Sequence, residues 1–194
     1  MIICKQRNNT SAHDWIVYHE SIGNTDVLQL NQTYAKGTYS VVWNNTSPTS
    51  SVFSVGTAGS VNESGKNQLA YCFAEIEGYS KFGSYTGTSN ADGPFVYTGF
   101  KPAFIIIKRT DSANSWMMYD NKRSPFNQVD DYVSAESTNV EDSDSSPQAI
   151  DFLSNGVKIR NLNGASNASG GTYIYMAFAE APFGGILTNE ATAR

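Results

Sequence analysis

GFKPAFIIIKRTDSANSWMMYD, residues Gly99 to Asp120, is the stretch whose reading decides the fold. Phe104-Ile105-Ile106-Ile107-Lys108 is an apolar run entered through Lys101-Pro102 and left through Arg109-Thr110-Asp111. The run is too short for a helix, and its β-branched residues between turn signals predict a strand buried on both faces. After a Ser/Asn/Asp loop, Trp116-Met117-Met118-Tyr119-Asp120 reads as a second strand. The same order stands near the N-terminus, where Ile2-Ile3-Cys4-Lys5 is followed by a polar loop and Trp15-Ile16-Val17-Tyr18-His19. An internal repeat is therefore expected.

The repeat can be followed along the chain. Val27-Leu28-Gln29-Leu30 aligns with Tyr132-Val133-Ser134-Ala135, and Ser54-Val55-Gly56 with Ser154-Asn155-Gly156. VNESGKNQLAYCFAE, Val61 to Glu75, aligns without a gap with SNASGGTYIYMAFAE, Ser166 to Glu180. The period of about 100 residues suits tandem small domains rather than a solenoid. Residues 1–77 are expected to form a first copy and 78–183 a second, with 184–194 as a tail. In the first copy, strands are expected at Ile2 to Gln6, Trp15 to His19, Val27 to Leu30, Tyr39 to Trp43, Val52 to Val55 and Leu69 to Glu75. The aromatic- and glycine-rich stretch before Pro102 reads as a hairpin of Phe82 to Thr86 and Phe95 to Phe100, leading the second copy and lacking from the first. The closing strand of the second copy is apolar on both faces, so it belongs inside a sheet. Glu75 and Glu180 end the two closing strands outside the core. The expected fold is all-β, sandwich- or jelly-roll-like, built from two tandem copies.

Composition agrees with an all-β reading. The chain has 194 residues, with charged residues at 16% and aromatic residues at 12%, and many short β-rich runs lie between turn residues. A net charge of −5 without basic clusters argues against nucleic acid or an anionic membrane as partner. No apolar run approaches the roughly 18 residues that cross a membrane, and Met1 leads straight into a strand, so neither membrane insertion nor a secretory leader is expected. The two cysteines, Cys4 and Cys72, align with Ile107 and Ala177, which predicts reduced thiols packed as small hydrophobes.

Motifs for catalysis are missing. The sequence holds no His-x-x-His or Cys-x-x-Cys pair, no Gly-x-Ser-x-Gly and no phosphate loop. The two histidines, His13 and His19, read as ordinary polar residues, because Asp120 stands where His19 recurs. Carboxylates that could cleave glycans are Glu75 with Glu77, Asp130 with Asp131, and the cluster Glu141-Asp142-Ser143-Asp144. The cluster lacks the glycine and the closing glutamate of a helical calcium loop and reads as solvated. No catalytic, metal-binding or cofactor-binding residue is assigned, and no enzyme activity or cofactor is expected. Asn-x-Ser/Thr triplets at Asn9, Asn31, Asn45, Asn62 and Asn167 are frequent in so polar a sequence and carry no function. Trp15 and Trp116 recur and read as core, as do Trp43, Tyr79, Tyr85 and Tyr97, although exposed aromatics could stack on sugars.

Lys108-Arg109, Trp116, Tyr119-Asp120, Lys122-Arg123, Ser154-Asn155-Gly156, Asn167, Ser169-Gly170 and Phe178-Ala179-Glu180 form a pattern. It resembles the repeat domain of tailed-bacteriophage tail-fibre proteins, especially marine ones. GYSKFGSYTG, DGPFVYTGFKPAF and the terminal ATAR are similar to the C-terminal end of such fibres. The resemblance implies a location in the virion fibre and supplies no catalytic residues. It leads to the expectation of a non-enzymatic structural and host-recognition module that presents loops to a bacterial surface glycan or protein. A self-assembling extracellular filament subunit and a virion-associated glycan depolymerase are the alternatives. Copy one, without its leading hairpin, would leave an apolar strand edge open, so a homo-oligomer, either a trimer or a filament, is expected. Phe183-Gly184-Gly185-Ile186-Leu187 could also fill that edge.

Overall fold

A computed structural model describes residues 1–8, 13–142 and 148–181. The expected tail and its Phe183 to Leu187 segment lie outside the described residues, as do Asn9, Ser143 and Asp144. The described chain is all-β, with three antiparallel sheets, two single-turn α-helices and one 3-10 turn. It divides into two compact units, Met1–Phe73 and a second that begins at Ala74.

The first unit holds β1 (Ile2–Gln6), β2 (Ile16–Tyr18), β3 (Asp26–Gln29), β4 (Gly37–Thr38), the helical turn α1 (Gly59–Asn62) and β5 (Gln68–Cys72). Their order in one sheet is β4-β3-β2-β1-β5. Ile2 pairs with Tyr18 and Cys4 with Ile16, so these four side chains share a face. With Val27, Val42, Trp43 and Val61 they form the unit's core. The expected strand Tyr39 to Trp43 is not one, because the chain turns there and Asn44 and Asn45 take left-handed backbone (φ 54° and 48°). The turn inserts Trp43, 1% exposed, edge-on against Tyr18 at 5.7 Å. Val52 to Val55 is irregular as well, and Val52 is exposed. In both stretches burial of a few apolar side chains prevails over local strand preference.

The second unit holds β6 (Ser80–Thr86), β7 (Phe95–Tyr97), β8 (Pro102–Arg109), β9 (Trp116–Asp120), β10 (Val133–Ser134), β11 (Ile150–Leu153), β12 (Gly156–Ile159), α2 (Gly164–Asn167) and β13 (Thr172–Ala179). One sheet runs β10-β9-β8-β13-β6 and the other β11-β12-β7. The apolar run of β8 is central as expected, with Ile105 and Ile107 at 0% exposure. β13 lies between β8 and β6 and is buried along nearly its whole length. The hairpin expected from Phe82 to Phe100 does not form. β6 pairs with β13 and β7 pairs with β12, so the two strands enter different sheets. One core joins Ile105, Ile107, Met117, Tyr119, Tyr173 and Tyr175 of the larger sheet to Val96, Ile150, Phe152, Val157 and Ile159 of the smaller.

The cysteines divide. Both are free, and Cys4 is buried. Burial, and secondarily the charge of Cys72, pushes the Cys4 thiol up to about 11. Cys72 is exposed, which corrects its assignment to the core, because among the described residues β5 is an edge strand whose outer side carries no pairing. A native sample should therefore react with one equivalent of thiol reagent at once and take up a second only on unfolding. Absorbance of the released chromophore reads both steps, and labelling of neither or both cysteines in the native state would contradict this placement.

Candidate functional site

β7 reads Phe95-Val96-Tyr97, and alternation sends Val96 inward and its two aromatic neighbours outward. Phe95 is 45% exposed and Tyr97 59%, which corrects the expectation that Tyr97 lies in the core. Pairing with β12 sets Phe95 opposite Lys158 and Tyr97 opposite Gly156. Lys158 in turn faces Asp151 of β11, and Gly156 faces Leu153. These six residues form one outward face, since Val96, Val157 and Phe152 occupy the opposite, core-facing positions.

Glycine is required at 156. A Cβ there would lie 2.3 Å from the Val96 carbonyl oxygen and 2.7 Å from the Phe95 ring, so the absence of a side chain lets that ring lie across β12. Gly156 also closes the hairpin after Ser154-Asn155, where no strands were expected; its Asn-Gly pair between alternating residues is a signal for such a turn.

Beside the aromatics stands a charge-balanced cluster. Lys158 Nζ is 2.8 Å from Asp92 Oδ1, and Arg160 Nη1 lies 3.3 Å from the same oxygen. Arg160 Nε also donates to Asp151 Oδ2 at 2.6 Å. The hydrogen bond from Lys158, aided by its charge, holds the Asp92 carboxyl below the usual range, so this carboxylate is ionised at neutral pH. It offers donors and acceptors in balance next to two aromatic faces. Such a surface suits a hydroxyl-rich ligand, whose rings stack and whose hydroxyls both donate and accept.

Four of the carboxylates singled out for glycan cleavage have partners within the fold. Glu75 pairs with Lys81, and Glu141 pairs with Arg123. Asp131 accepts from Ser124 Oγ at 2.8 Å, and Asp142 accepts from the Tyr132 hydroxyl. Glu180 pairs with Lys101 and accepts from Asn121, outside the core as expected. His19 is 1% exposed, and its Nδ1 accepts from the Ser21 amide, which makes it a cap of the turn at Glu20–Ile22. His13 lies 3.6 Å from Glu63. Among the described residues no three His, Cys, Asp or Glu side chains stand together in a way that could hold a metal.

Lys108 is the buried charge that sequence reasoning missed. It is 0% exposed, its Nζ sits 6.0 Å from the Trp116 ring centre, and it donates to the Arg109 carbonyl. Burial lowers its amine to about 8. Lys5 stands over Trp15 in the same way, at 5.8 Å, so the pairing is a packing device found in both units. Trp15 is only half-buried, stacked on Tyr71 at 6.4 Å, whereas Trp116 is in the core as expected.

A family model described as Domain of unknown function (DUF7483) matches residues 1–182, and the chain belongs to that family. No curated protein and no solved structure matches the chain.

Proposed function

We propose that this member of the family is a non-enzymatic structural and host-recognition module of a phage tail fibre, resident in the virion. Its outward face of β7, β12 and β11 would touch a bacterial surface glycan. The observation that carries the binding reading is the outward pair Phe95 and Tyr97 beside the balanced cluster of Lys158, Arg160, Asp92 and Asp151. The fibre itself rests on the sequence resemblance.

We read the two units as tandem copies of one repeat, in which the second has the two sheets of a sandwich and the first a single sheet among the described residues. The strand order β3-β2-β1-β5 in the first has its counterpart in β10-β9-β8-β13 in the second. The lysine-over-tryptophan contact, the helical turn ending in Asn62 or Asn167, and the left-handed glycine after it (Gly65 at φ 71°, Gly170 at φ 68°) also occur in both.

The test is binding of the fluorescently labelled chain to host cells, and to purified lipopolysaccharide and capsule. The double variant Phe95→Ala/Tyr97→Ala should weaken binding about 100-fold, each aromatic contributing about 1.4 kcal/mol. Undiminished binding by a folded double variant would remove the face from the proposal. Release of oligosaccharide that a single carboxylate substitution abolishes would establish the depolymerase instead.

A further inference from the structure

Among the described residues β5 is the last strand of its sheet, and Gln68, Ala70, Tyr71 and Cys72 are all exposed. Its inner side pairs with β1 in the register Ile3–Tyr71, Cys4–Ala70 and Lys5–Leu69. The Phe73 amide donates to the Met1 carbonyl, and the Arg7 amide donates to the Asn67 carbonyl. Backbone groups alternate in direction along an antiparallel ladder. Those of residues 67, 69, 71 and 73 therefore point to β1, and those of Gln68, Ala70 and Cys72 point to the open side.

The second unit shows what this position in a sheet accepts. β13 stands beside β8 as β5 stands beside β1, and its other side is paired antiparallel with β6 through Tyr173–Tyr85, Tyr175–Gly83 and Ala177–Lys81. Tyr173, Tyr175 and Ala177 are the residues that align with Gln68, Ala70 and Cys72. β5 lacks the two edge-protecting devices a strand can carry in its own sequence, since Gln-Leu-Ala-Tyr-Cys contains no charge and no proline.

We infer that the free edge of β5 pairs antiparallel with β5 of a second copy of this chain, about a two-fold axis through Ala70. This register sets Ala70 opposite Ala70 and Gln68 opposite Cys72, so every outward amide and carbonyl of both strands is satisfied, in about six hydrogen bonds. Tyr71 of each copy then faces Leu69 of the other, extending the Tyr71–Trp15 stack with apolar contact. A strand made only of neutral residues meets itself without like-charge repulsion, which favours self-pairing over a charged partner. An edge that pairs with its own copy is used up after two chains, so it links subunits in twos. The inference is independent of the fibre reading, because it uses only the direction, register and composition of β5 and the pairing of the aligned β13.

Sedimentation of the full chain from micromolar to near-millimolar concentration should show a monomer–dimer equilibrium. Amide exchange should slow with concentration at Gln68, Ala70 and Cys72, while Leu69 and Tyr71 stay protected throughout. Ala70→Lys and Ala70→Glu each place like charges opposite one another and should raise the dissociation constant at least about 100-fold. An equal mixture of the two variants should recover the dimer. A wild-type chain that stays single at every concentration, assembles in threes, or exchanges those three amides freely would overturn the inference. So would dimerisation of Ala70→Lys at wild-type strength. Should either variant fail to fold, exchange in the wild-type chain decides alone.

Discussion

Asn167→Ala should destabilise the protein by about 4 kcal/mol, a large share of what a domain of this size holds. Asn167 is 0% exposed, and its side chain joins three separate segments. Oδ1 accepts from the Thr88 amide at 2.7 Å, while Nδ2 donates to the carbonyls of Asn90 at 2.8 Å and Asn161 at 2.6 Å. Alanine removes the partner of all three backbone groups; the buried Asn161 carbonyl costs about 1–3 kcal/mol, and the two part-buried groups about 1 kcal/mol each. Asn62→Ala makes the control. Asn62 is exposed and donates to one carbonyl, that of Gly56 at 2.8 Å, so its loss should cost only about 1 kcal/mol. Urea denaturation separates them as a shift in midpoint at constant slope. Equal losses at the two sites would mean that the Asn167 network does not bear on stability.

Gly156→Ala should cost about 3 kcal/mol and weaken the proposed glycan binding through the face of β7 as well. The new methyl would press on the Val96 carbonyl at 2.3 Å, a backbone atom fixed by its own strand pairing, and cannot be relieved by rotating a side chain. β7 would have to move away, carrying Phe95 and Tyr97 with it. Gly170→Ala offers a contrast of mechanism. Nothing lies within 4 Å of a Cβ there, but φ is +68°, so the cost is the left-handed backbone alone, about 1 kcal/mol. Thermal melting ranks the two, and a Gly156→Ala protein as stable as wild type would show that β7 and β12 do not approach so closely.

The strands that a linear reading finds are those whose neighbours are dictated by their own chemistry. β1 and β9 have the expected bounds, because continuous apolar and aromatic residues between turn signals have no better place than a sheet interior. β13 is legible for the same reason. Where the signal is weaker, local pattern misleads. Tyr39 to Trp43 alternates like a strand yet folds as a turn, since burying Trp43 against Tyr18 outweighs the ladder bonds it forgoes. β6 and β7 look like the two arms of a hairpin around Asn90-Ala91-Asp92-Gly93, but each finds a longer partner elsewhere, β13 and β12. The candidate face was invisible as a face. Phe95, Lys158 and Asp151 come from three strands, and register alone makes them neighbours.

The all-β class and the central strands were determined by the sequence alone, because apolar periodicity and turn residues act over a few neighbours in the chain. Exposure and partnership were decided only in three dimensions. Ala70 of β5 and Tyr175 of β13 occupy aligned positions in segments that share Phe-Ala-Glu endings, yet one is exposed and the other is 5% exposed in the core. The difference is the strand on the far side, present as β6 beside β13 and absent beside β5 among the described residues. A residue's burial depends on what packs over it, and that partner lies far away in sequence or in another chain.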